Sequence, residues 1–149
     1  MSGQGAERVS QPVYAGDVDP KEAYQALTQD KNAVFIDVRT QEERAFVGEP
    51  DLSTLSNPHL ALPWRIYPTM GVNPNFTASL EAQVTDKNTP LYFMCKVGGR
   101  SADAAIAATE AGYSAAYNIA GGFEGDSNPA GQRGTINGWK ASSLPWRQN

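Results

Sequence analysis

The chain has 149 residues, 12 Lys and Arg against 16 Asp and Glu for a formal net charge of -4, one histidine and one cysteine. Its length suffices for one domain with a buried core, and a single cysteine excludes internal disulfide bonds. One Cys with one His falls short of a structural zinc site, and an acidic chain without a basic run excludes sequence-independent nucleic-acid binding.

Residues 1–12, MSGQGAERVSQP, are small and polar and are expected to be disordered. They lack the apolar segment of a secretory signal, and no stretch reaches membrane-spanning length, so a cytoplasmic protein without membrane association is expected. A free thiol suits such a reducing compartment. Residues 13–149 are read as one domain, with the tail from 126 packed on it.

Val13-Tyr14 is expected to start a short edge strand. Asp17 to Asp19 supply N-caps for a first helix, in which Pro20 takes the first turn and Ala23, Ala26 and Leu27 share a face. The apolar run Ala33-Val34-Phe35-Ile36 reads as a strand buried on both faces, and it leads into Asp37-Val38-Arg39. Thr40 with Glu43 forms a capping box for the next helix. From Gly48 to Asn75 five prolines predict a long loop; it holds His59 as a loop residue, and a short strand within Leu62 to Arg65 places Trp64 as a pocket wall or a core aromatic. Phe76 to Val84 is expected to be helical.

The most informative stretch is LYFMCKVGGRSADAAIAATEAG, residues 91–112. Leu91 to Met94 reads as a buried strand that ends in Cys95, and a helix is expected to begin near Ser101. Gly98-Gly99 permit the sharp turn between them, so that successive amide hydrogens point inward beside a helix N-terminus. Lys96 and Arg100 add positive charge. A thiol in such surroundings ionises more readily than a free one, which makes Cys95 a candidate nucleophile rather than a small core residue. Ligands in open α/β sheets bind beyond the carboxyl ends of strands, so Asp37 and Arg39 are expected near Cys95, either as a supporting pair or as structural groups. Ala115 to Ile119 reads as another strand, followed by the glycine-rich turn from Ala120 to Gly125, for which tight turning alone is a sufficient reason. Alternating strands and helices predict an α/β fold, with a mainly parallel central sheet flanked by helices.

FIDVR at 35–39, CKVGGRS at 95–101 and NIAGGFEGD at 118–126 resemble the rhodanese family of sulfurtransferases, and specifically its single-domain bacterial members. GWKASSLPWRQ at 138–148 is similar to tails of a bacterial subgroup. The resemblance implies a rhodanese-like fold and a cysteine, here Cys95, that takes sulfane sulfur from thiosulfate or a similar donor. A persulfide then passes that sulfur to cyanide or a thiol, a protein thiol included, and no cofactor or metal is implied. It further implies that Lys96, Val97, Gly98, Gly99 and Arg100 hold the donor, Arg100 gripping its sulfonate, while Asp37, Arg39, Ser101 and Trp64 support the loop. Two departures mark this chain: Lys96-Val97 where arginine and a small or polar residue are common, and Gly48-Glu49-Pro50 in place of Gly-His-Ile. Two rival readings are a non-catalytic rhodanese-like module that binds a partner protein, and a cysteine phosphatase or arsenate reductase. The four residues between Cys95 and Arg100 argue against the latter, because phosphate loops of that kind have five.

Overall fold

The computed structural model describes residues 13–148, so the segment expected to be disordered lies outside the described residues. Five parallel strands form the central sheet: β1 (Gly16–Val18), β2 (Val34–Asp37), β4 (His59–Ala61), β7 (Leu91–Met94) and β8 (Ala116–Ile119). Their order across the sheet is β1-β8-β7-β2-β4, which puts β7 in the middle. Around it lie α1 (Pro20–Gln29), α2 (Gln41–Val47), α3 (Phe76–Gln83), α4 (Gly99–Glu110) and the single turn α5 (Gly138–Ala141). The remaining short strands pair outside the sheet: β3 (Glu49–Pro50) with β9 (Trp146–Arg147), and β5 (Arg65–Ile66) with β6 (Gly71–Val72), both antiparallel. The architecture is the α/β fold that the strand–helix alternation predicts.

Side chains alternate across a strand, so the two central strands feed two cores. Val34 and Ile36 of β2 and Leu91 and Phe93 of β7 join Phe76, Leu80, Ala104, Ala105 and Ala108 on the side of α3 and α4. Phe35, Tyr92 and Met94 face the other way, toward Ala23, Leu27, Ile119, Phe123 and Trp139. Full burial of each large apolar side chain stabilises the fold by about 1.5–3 kcal/mol. Cys95 continues the odd-numbered series and lies on the α4 side. Trp139, with no exposed surface, fits edge-on against Tyr24 and Phe35 and donates its indole N–H to Pro145 O at 2.8 Å. The 138–147 segment is thereby tied to the sheet.

Local rules account for the helix starts. Asp19, not Asp17, caps α1, with Glu22 reaching back to complete a capping box, and Thr40 with Glu43 does the same for α2. Three sequence expectations shift. The first strand begins at Gly16 rather than Val13, because its ladder opens with Ala15 N–H donating to Ala116 O, while the Tyr14 hydroxyl turns to Asp17. His59 is the first residue of edge strand β4, in register with Phe35, rather than a loop residue. That strand ends at Ala61, before Pro63, so Leu62 to Arg65 is not itself a strand; Arg65 opens β5.

Candidate active site

The carboxyl end of β7 delivers Cys95 to the centre of the sheet edge, 1% exposed. Four residues later the chain is already helical. Gly98 has a left-handed φ of 115° and occupies the N-cap position, so α4 begins at Gly99, two residues before the expected start. Only a residue without Cβ takes that φ freely. The turn folds the Gly98 N–H back onto Cys95 Sγ at 3.0 Å, and the Ser101 hydroxyl lies 3.2 Å from the same sulfur. The sulfur therefore sits at the α4 N-terminus with a backbone donor and a side-chain hydroxyl aimed at it. Lys96 is half-buried, Val97 is 41% exposed at the loop tip, and Gly99 faces open space.

Arg100, one residue into α4, is engaged by α2. It forms a two-pronged ion pair with Glu43 of α2, Nη1 to Oε1 at 2.7 Å and Nη2 to Oε2 at 2.8 Å, with both side chains mostly buried. Glu43 thus serves two elements, since its Oε1 also accepts the Thr40 N–H. Burial alone would raise its carboxyl pKa. The Arg100 hydrogen bond, the Thr40 backbone N–H and the Arg100 charge outweigh burial and hold it at about 2, below its ordinary 4.5. The Glu43 hydrogen bond in turn strengthens the protonation of Arg100 against its own desolvation. A lowered carboxyl pKa gives stability that is fully present above pH 4.5 and is lost as pH falls through about 2. Glu43→Gln is accordingly expected to cost about 1 kcal/mol at neutral pH, with the difference from the parent protein shrinking as pH falls from 4.5 toward 2 in acid unfolding followed by circular dichroism.

Asp37 and Arg39 sit at the end of β2, beside β7, where Val38 N–H donates to Met94 O. They form a buried ion pair. Arg39 Nε donates to Asp37 Oδ1 at 3.0 Å and Nη2 to Oδ2 at 2.8 Å, the Arg39 backbone N–H adds a third bond, and the guanidinium lies 4.5 Å from the Phe123 ring centre. The pair is thus held by its own bonds and by Phe123 of the segment that lies against the cysteine loop. Trp64 packs edge-on against Phe76 at 5.0 Å within the core on the α4 side, and its Nε1 is buried without a hydrogen-bond partner among the described residues.

Three contributors are not among the site residues that the sequence reading names. Glu43 is legible as a capping residue, but nothing local points to Arg100. Asn118 of β8, 5% exposed, accepts from the Ser101 hydroxyl and donates to Asp17 Oδ1. Gly122 has a left-handed φ of 60°, and a Cβ there would meet Cys95 O and lie 2.6 Å from Lys96 O. The glycine pair after β8 therefore does more than turn. It lets the 120–125 segment lie against the cysteine loop, where Phe123 N–H donates to Cys95 O at 2.8 Å and Glu124 N–H to Lys96 O at 3.0 Å. The double glycine was the available clue.

A parallel α/β sheet that ends its middle strand in a cysteine, with amide and hydroxyl donors and a helix N-terminus around the sulfur, defines a rhodanese-like domain. The chain belongs to the family described as the STR4 middle domain, whose model matches residues 15–149, a rhodanese-like family. The solved structure of Rv0390 from M. tuberculosis superposes with a TM-score of 0.83 at 43% identity, over 91% of this chain and 99% of that one. The rice (Oryza sativa subsp. indica) chloroplast protein named THYLAKOID RHODANESE-LIKE is 32% identical over 88% of this chain, which spans 25% of the plant protein. The polysulfide-sulfur transferase homodimer of Wolinella succinogenes shares the fold at a TM-score of 0.64 and 21% identity, over 97% of this chain and 86% of that one. Among the described residues no helix is long and apolar enough to cross a membrane.

Proposed function

We propose that this protein is a sulfurtransferase that carries sulfane sulfur as a persulfide on Cys95. The observation that carries this reading is the sulfur's setting: the end of the central strand and the N-terminus of α4, with Gly98 N–H at 3.0 Å and the Ser101 hydroxyl at 3.2 Å. Donors so placed stabilise negative charge on sulfur, which is what a thiolate nucleophile and an anionic persulfide both need. The Cys95 thiolate attacks the outer sulfur of the donor. With thiosulfate, a new S–S bond forms, the donor's S–S bond breaks and sulfite leaves with its electron pair. A nucleophilic acceptor, cyanide or a small-molecule or protein thiol, then attacks the outer sulfur of the persulfide, and the Cys95 thiolate is regenerated. No proton transfer by a separate base is needed in either half.

Lys96, Val97, Gly98 and Gly99 form the wall a donor meets, and Lys96 supplies a positive charge that no acid matches among the described residues. Arg100 is neutralised by Glu43, so its role is to fix the loop, and its grip on a sulfonate requires that pair to open. That specific observation favours donors whose terminal sulfur carries little anionic bulk, such as polysulfides and low-molecular-weight persulfides, over thiosulfate. The protein's one free thiol suits a reducing compartment, and the cytoplasm is the setting this reading takes for it. The test is turnover to thiocyanate with cyanide as acceptor, comparing thiosulfate with a polysulfide. Both are expected to be used, with a higher kcat/KM for polysulfide; failure with both donors contradicts the proposal.

A further inference from the structure

The Ser101 hydroxyl carries one proton and reaches two acceptors, Asn118 Oδ1 at 2.5 Å and Cys95 Sγ at 3.2 Å. It can serve one at a time. Asn118 is not free to adapt, because its Nδ2 donates to Asp17 Oδ1 at 2.9 Å, and a carboxylate accepts but does not donate. The amide oxygen is therefore held toward Ser101. Asp17 is itself exposed on β1 and also receives the Tyr14 hydroxyl at 2.8 Å. A continuous chain of hydrogen bonds thus runs from a surface carboxylate to the buried sulfur: Asp17, Asn118, Ser101, Cys95.

Two settings of this chain satisfy different forms of the sulfur. With the hydroxyl proton on Asn118, Ser101 Oγ turns a lone pair to sulfur and accepts the thiol proton. Every group is then paired. When the thiol gives its proton to solvent, the hydroxyl must rotate to the thiolate, and Asn118 Oδ1, buried, loses its donor. Leaving a buried acceptor unpaired is costly. From this competition we infer that Asn118, oriented by Asp17, is a positioning residue that competes with Cys95 for the one Ser101 hydroxyl proton and so sets how much of that donor the thiolate receives. The inference rests on Cys95 being the reacting sulfur of the proposed transferase, but it concerns the sulfur's ionisation and not the fate of a donor. The other charges around the sulfur are Lys96 in the loop, Arg100 on α4 with Glu43 from α2 across it, and the Asp37–Arg39 pair at the end of β2. None of these changes when Asn118 or Ser101 is replaced.

The test uses the full chain and the ultraviolet absorbance of its one thiolate, with Cys95→Ser as the blank. Asn118→Ala frees the hydroxyl for sulfur and is expected to raise the ratio of thiolate to thiol at neutral pH about fivefold, the worth of one ordinary hydrogen bond. Ser101→Ala removes the shared donor and supplies the background in which the competition is absent. In the Ser101→Ala background, Asn118→Ala should have no effect, because the group that links the two is gone. Asp17→Ala, a surface change that does not threaten the core, guards against misfolding of the Asn118 variant. It should raise the ratio in the parent, and less in the Ser101→Ala background, where only its through-space charge remains. Equal effects of Asn118→Ala with and without Ser101, or of Asp17→Ala where the Asn118 variant does not fold, overturn the inference. So does a lowered ratio in either variant of the parent chain. The readout needs no sulfur donor, so its failure and a failure of sulfur transfer are separate results.

Discussion

Cys95→Ser is expected to reduce sulfur transfer by roughly a thousandfold or more while the protein stays folded. Serine keeps the shape of the side chain and meets the same Gly98 N–H and Ser101 hydroxyl, so the loop has no reason to rearrange. Oxygen cannot take up and release sulfane sulfur as a thiolate does, and no other cysteine exists to replace it. Thiocyanate production and a thermal melt, run on the same preparation, check both halves. Turnover near that of the parent protein would remove Cys95 from the mechanism.

Asp37→Ala is expected to lower stability by about 3–5 kcal/mol, because it leaves the Arg39 guanidinium buried without its counter-ion. Arg39 has no exposed side-chain surface, and its Nη1 already lacks a hydrogen-bond partner among the described residues. Typical domains hold only about 5–15 kcal/mol in total, so this single change is expected to lower the melting temperature by about 10 °C or more. Removing both charges should hurt less than removing one. Asp37→Ala combined with Arg39→Met is therefore expected to melt above Asp37→Ala alone, since no orphaned charge remains. A double variant that melts lower than the single one would show that the pair stabilises the fold through more than mutual compensation.

The fold was legible where its signals are local. Apolar runs at 33–36 and 91–94 give β2 and β7, Thr40 with Glu43 gives the start of α2, and Gly98-Gly99 between strand and helix gives the turn at Cys95. The site was legible in its centre and not in its supports. Ser101 and Gly98 fall within six residues of the sulfur they contact, so spacing alone brings them together. Glu43 meets Arg100 across 57 residues, and Asp17 meets Asn118 across 101. Such pairs depend on the strand order β1-β8-β7-β2-β4, which places β1 and α2 on either side of the loop and which no local pattern encodes. His59 shows the same limit. Flanked by Pro58 and Pro63, it reads as loop, and only pairing with Phe35 makes it strand. The consequence for chemistry is concrete: Arg100, read from its charge as a donor grip, is held by an acid that the linear pattern assigns to a helix cap.

The most direct measurement of the central claim is the intact mass of the reduced protein after incubation with a polysulfide or thiosulfate. The account predicts a species heavier by one sulfur atom, removed by dithiothreitol and by added cyanide, and absent from Cys95→Ser. A reduced and reactive Cys95 that gains no sulfur from either donor would contradict it.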